Sequence, residues 1–171
     1  MEKKAQFFSG DIAIASLLFL SSLSMVFLLW NTLISDIDRD DALRDMENLA
    51  VGIAEQLIRN PGVPADWNIY NVEVIGLASE GRVLNDAKVL NFISLMDATN
   101  SSNYDNNKNL LGVGLYDFSL NITDLDDNII TIQDTPCTTG LTPVDETDQI
   151  TIVRTAISNG EIVRIKFTMW R

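Results

Sequence analysis

The chain has 171 residues, 24 of them acidic and 12 basic, with a single cysteine and no histidine. A net charge of −12 excludes the basic footprint that nucleic-acid binding demands, and the lack of histidine excludes His-based triads and His-ligated metal sites. Cys137 has no partner for an intrachain disulfide, and neither an enzymatic activity nor a cofactor or metal is expected.

The dominant feature comes early. Ile12 to Trp30 reads IAIASLLFLSSLSMVFLLW, nineteen residues without a charge, a proline or a glycine. As a helix it spans roughly 28 Å, close to the thickness of a bilayer core. Ile12, Leu17, Leu20, Phe27 and Trp30 mark out the expected membrane helix. Ser21, Ser22 and Ser24 are compatible with it, because a helical serine can hydrogen-bond to a preceding carbonyl. Lys3 and Lys4 precede the run. Their charge predicts a cytoplasmic N-terminus, with everything after Trp30 outside. A cleaved secretory signal predicts a shorter apolar core and an A-x-A site after it, whereas Asn31-Thr32-Leu33-Ile34 follows here.

The junction ahead of the run is Lys3-Lys4-Ala5-Gln6-Phe7-Phe8-Ser9-Gly10-Asp11. A small residue, Ala5, lies before the apolar stretch, and a carboxylate, Asp11, sits at its lip. An ionisable group at that depth is a functional candidate. The arrangement resembles archaeal type IV pilin-like precursors with class III signal peptides, although Ala5 stands where that family usually has glycine. The resemblance implies cleavage between Ala5 and Gln6 on the cytoplasmic side by a prepilin-type peptidase, with the helix kept on the mature subunit. It also implies partnership with the pilus assembly machinery and with further copies of the chain.

From Asn31 the helix is expected to continue. Leu33, Ile37, Ala42, Met46, Leu49, Ala50, Ile53, Ala54 and Leu57 recur mostly three or four apart, with Asp36, Asp38, Arg39, Asp40, Asp41, Arg44, Asp45 and Glu47 between them. That is an amphipathic pattern, ended by Asn60-Pro61-Gly62. The two parts predict one helix of about 45 residues, roughly 70 Å long. Its first half requires lipid or copies of itself, and its second half requires the domain that follows. The acidic run from Asp36 to Glu47 could bind cations just above the membrane, but is read as a solvated helix face, eased by Arg39 and Arg44.

Residues 61–84 read as a connection with short extended pieces, one of them at Val72, Val74 and Ile75. Gly76 to Gly81 lacks the spacing and the lysine of a phosphate loop. Asn85 is placed to cap a second helix running from Asp86 to about Asp97, with Leu84 and Val89 as a hydrophobic staple. Thr99 to Asn109 is polar, a surface loop or a short helical turn. The stretches PGVPADW, IGLASEGRVLNDAKVLNFISL and NLLGVG are also similar to segments of archaeal pilin-like proteins.

The last third alternates. Tyr116, Phe118, Leu120 and Ile122 share one side of a strand between Gly114 and Thr123. Further strands are expected at Asn128–Ile132, Gln149–Ala156 and Glu161–Trp170, the last two joined by Asn159-Gly160, the favoured pair of a type I′ hairpin. Asp124, Asp126, Asp127 and Asn128 hold oxygen ligands of the kind Ca²⁺ takes but lack the glycine and closing glutamate of an EF-hand, and are read as a solvated turn. Asn100 and Asn121 each begin an N-glycosylation tripeptide.

The expected fold is therefore α+β: a long N-terminal helix, half membrane and half amphipathic, packed on a small C-terminal antiparallel sheet, as in pilins. Its expected parts are a leader and processing junction (1–11), a transmembrane and assembly helix (12–30), the amphipathic continuation (31–60) and an extracellular head (61–171). The expected function is that of a major or minor subunit of a type IV pilus-like surface filament, held in the membrane until assembly. Its expected partners are membrane lipid, itself and the assembly machinery, with no nucleic acid. Asp11 is the expected assembly residue, pairing with the freed α-amine of Gln6 in a neighbouring copy. The alternative is a single-pass anchored sensor or binding module that never polymerises.

Overall fold

A computed structural model describes residues 3–99, 101–144 and 148–171, with side chains described outside 3–9, 35–38 and 101–103. The chain divides into two compact units, Met1–Leu43 and Arg44–Arg171.

The first unit is helix. Helix α1 runs Lys3–Arg59, so its last turns belong to the second unit. Nothing breaks it before Asn60, in keeping with a sequence free of proline up to Pro61. From Ile12 to Ile34 the apolar side chains of the first unit are exposed, while Ala42 and Leu43 at its end are half-buried. The buried stripe starts at Met46 and continues through Ala50, Ile53, Ala54, Leu57 and Ile58. The expected amphipathic face is thus present, but it begins later than Leu33.

The second unit is a mixed sheet with helices on one face. Its strands are β1 (Ala78–Glu80), β2 (Val83–Leu84), β3 (Asp117–Thr123), β4 (Thr131–Ile132), β5 (Thr135–Pro136), β6 (Thr138–Gly140), β7 (Gln149–Ser158) and β8 (Glu161–Trp170). Six of them form one sheet in the order β1-β2-β7-β8-β3-β6, and β4 pairs only with β5. All pairings in the large sheet are antiparallel except β2–β7, which runs parallel. The β7–β8 hairpin is in full register from Gln149↔Trp170 to Ser158↔Glu161. Asn159 (φ 52°) and Gly160 (φ 84°) make its turn, both in the left-handed region that a type I′ turn requires.

Three expectations are corrected. The segment at Val72–Ile75 contributes only a single bridge, Val63↔Val74. The strand expected at Asn128–Ile132 shortens to Thr131–Ile132 and leaves the main sheet, because β6 takes the edge of β3 instead. The sheet accordingly has six strands rather than about four, with short pieces from the 78–84 and 138–140 segments extending both edges.

Helix α2 (Asp86–Leu95) has Asn85 as its N-cap, whose side chain accepts from the Lys88 amide at 3.2 Å. Leu84 and Val89, the staple pair, are both buried. Helix α3 (Ser101–Asn107) passes into a 3-10 turn, Lys108–Leu111. Phe118 of β3 lies 6.5 Å from Phe92 of α2, 5.5 Å from Tyr104 of α3 and 5.4 Å from Phe167 of β8, measured between ring centres. Aromatic pairs at these separations add to the burial of their area. The Tyr104 hydroxyl accepts from the Phe118 amide at 2.9 Å, so the polar tip of this buried ring is satisfied. Trp170 is buried at the end of β8.

The end of α1 joins this core on the same face. Arg154 Nε donates to Glu55 Oε1 at 2.7 Å, across 99 residues of sequence. In β7, Arg154 shares its side with Ile152 and Ala156, opposite the buried Ile165, Phe167 and Val163 of β8. Gln56 Nε2 donates to the Ile75 carbonyl, and the Leu77 amide donates to the Leu57 carbonyl. Gly76 sits inside this junction, and a Cβ there would collide with the backbone of Asn60 and Gly62.

Candidate functional site

The feature of the first unit that invites a function is its surface. From Ile12 to Trp30 the large apolar side chains are all more than half exposed, from 52 % at Leu23 to 69 % at Leu17. Leu17, Leu18, Phe19 and Leu20 follow one another without interruption, so they point around the whole helix. Among the described residues one helix, α1, is long and apolar enough to cross a membrane, and none of its most apolar stretch is buried. Monomeric soluble proteins rarely expose contiguous apolar patches of more than a few hundred square ångströms. This surface therefore needs lipid or protein against it.

Four hydroxyls in and just after the stretch are neutralised locally. Ser21, Ser22 and Ser24 donate to the carbonyls of Leu18, Phe19 and Leu20 at 2.9, 2.9 and 2.8 Å. Thr32 donates to Leu28 O at 3.1 Å. Each of these four hydroxyls carries its partner with it, so none of the four demands water.

Asp11 lies within α1, exposed, one residue before the apolar run. The backbone at Ala5 and Gln6 is helical, and their side chains lie outside the described residues. Asn100 also lies outside them. Asn121 sits inside β3, half-buried, with its Oδ1 accepting from Thr138 Oγ1 at 2.6 Å. In the acidic run, Asp40, Asp41, Asp45 and Glu47 are exposed on α1, while the side chains of Asp36 and Asp38 lie outside the described residues. The Asp124 carboxylate closes its own turn, accepting from the amides of Asp126 and Asn128 and from Asn128 Nδ2. Asp127 pairs with Lys166 at 2.9 Å and Arg164 at 3.1 Å. The hydrogen bonds from Lys166 and Arg164 hold its carboxyl below the usual carboxylate range.

Two charged groups of the second unit carry no clear sequence signal. Lys88 is only 6 % exposed, and its ammonium donates to the carbonyls of Pro61 at 2.7 Å and Ala78 at 3.0 Å. Burial lowers its pKa, and the field of Asp66 acts the other way. Glu55 meets Arg154, Arg59 at 2.6 Å and, more distantly, Arg82 at 3.9 Å. The one hint for Lys88 is its place beside Val89 and Phe92 in the first turn of α2, where a fully solvated lysine is the simpler reading.

No protein-family model, no curated protein and no solved structure matches this chain.

Proposed function

We propose that this chain is a structural subunit of an archaeal type IV pilus-like surface filament, held in the membrane by α1 before assembly. The reading is supported above all by the charge-free, exposed surface from Ile12 to Trp30. That surface suits lipid first and then copies of itself, since lipid tails and packed helices are both apolar. The lysines at 3 and 4 favour a cytoplasmic N-terminus and an extracellular head. The Ala5-Gln6 junction supports processing on the cytoplasmic side.

Asp11 is assigned to assembly. In a bundle of such helices its charge needs a partner, and the α-amine of a neighbour's Gln6 supplies one. A buried pair of this kind fixes register at a real desolvation cost.

N-terminal sequencing of membrane-derived protein tests the reading. A mature chain starting at Gln6 supports it. An intact Met1-Glu2-Lys3-Lys4 segment overturns it in favour of an anchored, non-polymerising module. Filament yield at equal membrane abundance then tests Asp11. Asp11→Glu is expected to retain much of the assembly, and Asp11→Asn to lose most of it. Normal filaments from the Asn variant would reduce Asp11 to a helix-capping residue.

A further inference from the structure

The side of α1 turned away from its buried stripe is open and unevenly charged. Asp45, Asn48, Gly52 and Arg59 are exposed and recur at helical spacing, so they share that side, with Asp41 one turn before them. A Cβ built on Gly52 meets nothing within 4 Å. The side begins on two carboxylates and ends on a guanidinium.

Its basic end is reinforced by the rest of the fold. The Ile157 amide donates to Arg82 O at 2.8 Å, which ties the β1–β2 turn to β7 and brings Arg82 and Arg154 to the last turn of α1. Glu55 Oε2 lies 2.6 Å from Arg59 Nε and 3.9 Å from Arg82 Nη2, while its Oε1 accepts from Arg154. Three guanidiniums thus share one carboxylate, and among the described residues no other carboxylate pairs with them. Arg82 is the least committed of the three. Its contact with Glu55 is too long for a hydrogen bond, and its side chain is 45 % exposed. The corner keeps more positive than negative charge in a chain of net charge −12.

Charge decides what fits the corner. Copies of so acidic a chain repel one another unless their carboxylates meet cations. In one copy Asp45 and Arg59 are fourteen residues apart, about 21 Å along the helix axis. A parallel neighbour displaced by about that length sets its Asp41 and Asp45 against Arg59 and Arg82. Gly52, with no side chain, leaves the approach unobstructed. One exposed ion pair is worth little, so two carboxylates on one turn suit a cluster of arginines better than either does alone. We propose that the corner of Arg59, Arg82 and Arg154 receives the turn from Asp41 to Asp45 of α1 in a second copy of this chain. The contact joins different surfaces of the two copies, and a displacement along the axis does not close on itself, so the contact repeats along a line. It rests on the filament reading and names a second place, besides Asp11, where copies meet.

The test uses the full chain in membranes, produced as two copies with different tags. One copy carries Asn48→Cys, on the exposed side of α1 just past Asp45, and the other carries Glu80→Cys, exposed beside the β1–β2 turn. Cys137 is buried, so the chain without added cysteines gives the background. A short bismaleimide is expected to join the two tags. Arg82→Gln in the second copy, or Asp45→Asn in the first, is expected to lower the joined yield about threefold, the size of one exposed pair. Asp45→Arg in the first copy and Arg82→Glu in the second should each suppress joining alone and restore it together, a recovery that a merely structural role for Arg82 does not produce. Joined tags in membranes without filaments support the contact and overturn the filament reading. Filaments without joined tags overturn the contact and leave the filament reading standing. Joining that Arg82→Gln leaves unchanged, or reversals that fail to restore it together, also overturn the contact.

Discussion

Helix α1 contains two apolar surfaces made from similar residue types and in opposite surroundings. Between Ile12 and Trp30 apolar side chains occupy every side, and all the large ones are exposed. Between Met46 and Ile58 they form one stripe, and its members are at most 4 % exposed. The difference lies in arrangement rather than hydrophobicity. A stripe can be covered by a single sheet lying along it, whereas an apolar cylinder can be covered only by a surrounding medium or a ring of neighbours. The transition falls where acidic residues enter the sequence, from Asp36 onward.

Placing a carboxylate in each surface separates the two. Met46→Asp puts an unpaired charge at a buried position and is expected to destabilise the second unit by about 3–5 kcal/mol. Chemical denaturation followed by near-UV circular dichroism measures this, and an unchanged midpoint would show the stripe to be misplaced. Leu20→Asp acts on the other surface. It is expected to cost about 3 kcal/mol in membrane insertion while leaving the unfolding midpoint of the second unit unchanged. Carbonate extraction of membranes reads the first effect. A shift of the unfolding midpoint instead would break the distinction between the surfaces.

A smaller effect tests the polar clamp at the end of the buried stripe. The hydrogen bond from Arg154 holds the Glu55 carboxyl below its usual range, with Arg59 adding to it and burial opposing it. A depressed carboxylate pKa contributes stability above the unfolded value of about 4.3, and that contribution is lost as pH falls through the folded pKa. Glu55→Gln is therefore expected to cost about 1 kcal/mol at pH 7 and nothing comparable at pH 2. Thermal unfolding at the two pH values checks the sign. A variant equally destabilised at both would deny the ion pair its role. The smallest effect belongs to the hydroxyls. Ser22→Ala removes a group already bonded to Phe19 O. Membrane insertion is expected to change by less than about 0.5 kcal/mol, and a larger change would mean the hydroxyl meets something other than its own helix.

What was legible in the sequence was what is local. The charge-free run, the Asn85 cap with its staple, the alternation around Phe118 and the Asn159-Gly160 turn each depend on residues a few positions apart, and each is found. The start of the buried stripe was read too early, because Leu33 and Ala42 keep the helical spacing without being buried. The sheet's edges were missed for a different reason. Val83 pairs with Ile157 and Thr138 with Asn121 across long separations, and strands of two or three residues leave no periodicity to detect.

The placing of the β7–β8 hairpin bears on the order of events during synthesis. These two strands are the middle of the sheet, with β2 and β1 on one side and β3 and β6 on the other. They also come later in the chain than every strand they join. A ribosome therefore delivers the margins of the sheet before its centre. Until β7 and β8 emerge, β3 has only three residues of β6 beside it and β2 only β1, too little to close a core. Helix α1 needs no such wait, since its hydrogen bonds are internal. Whatever receives the nascent helix can therefore meet it before the head has a closed core.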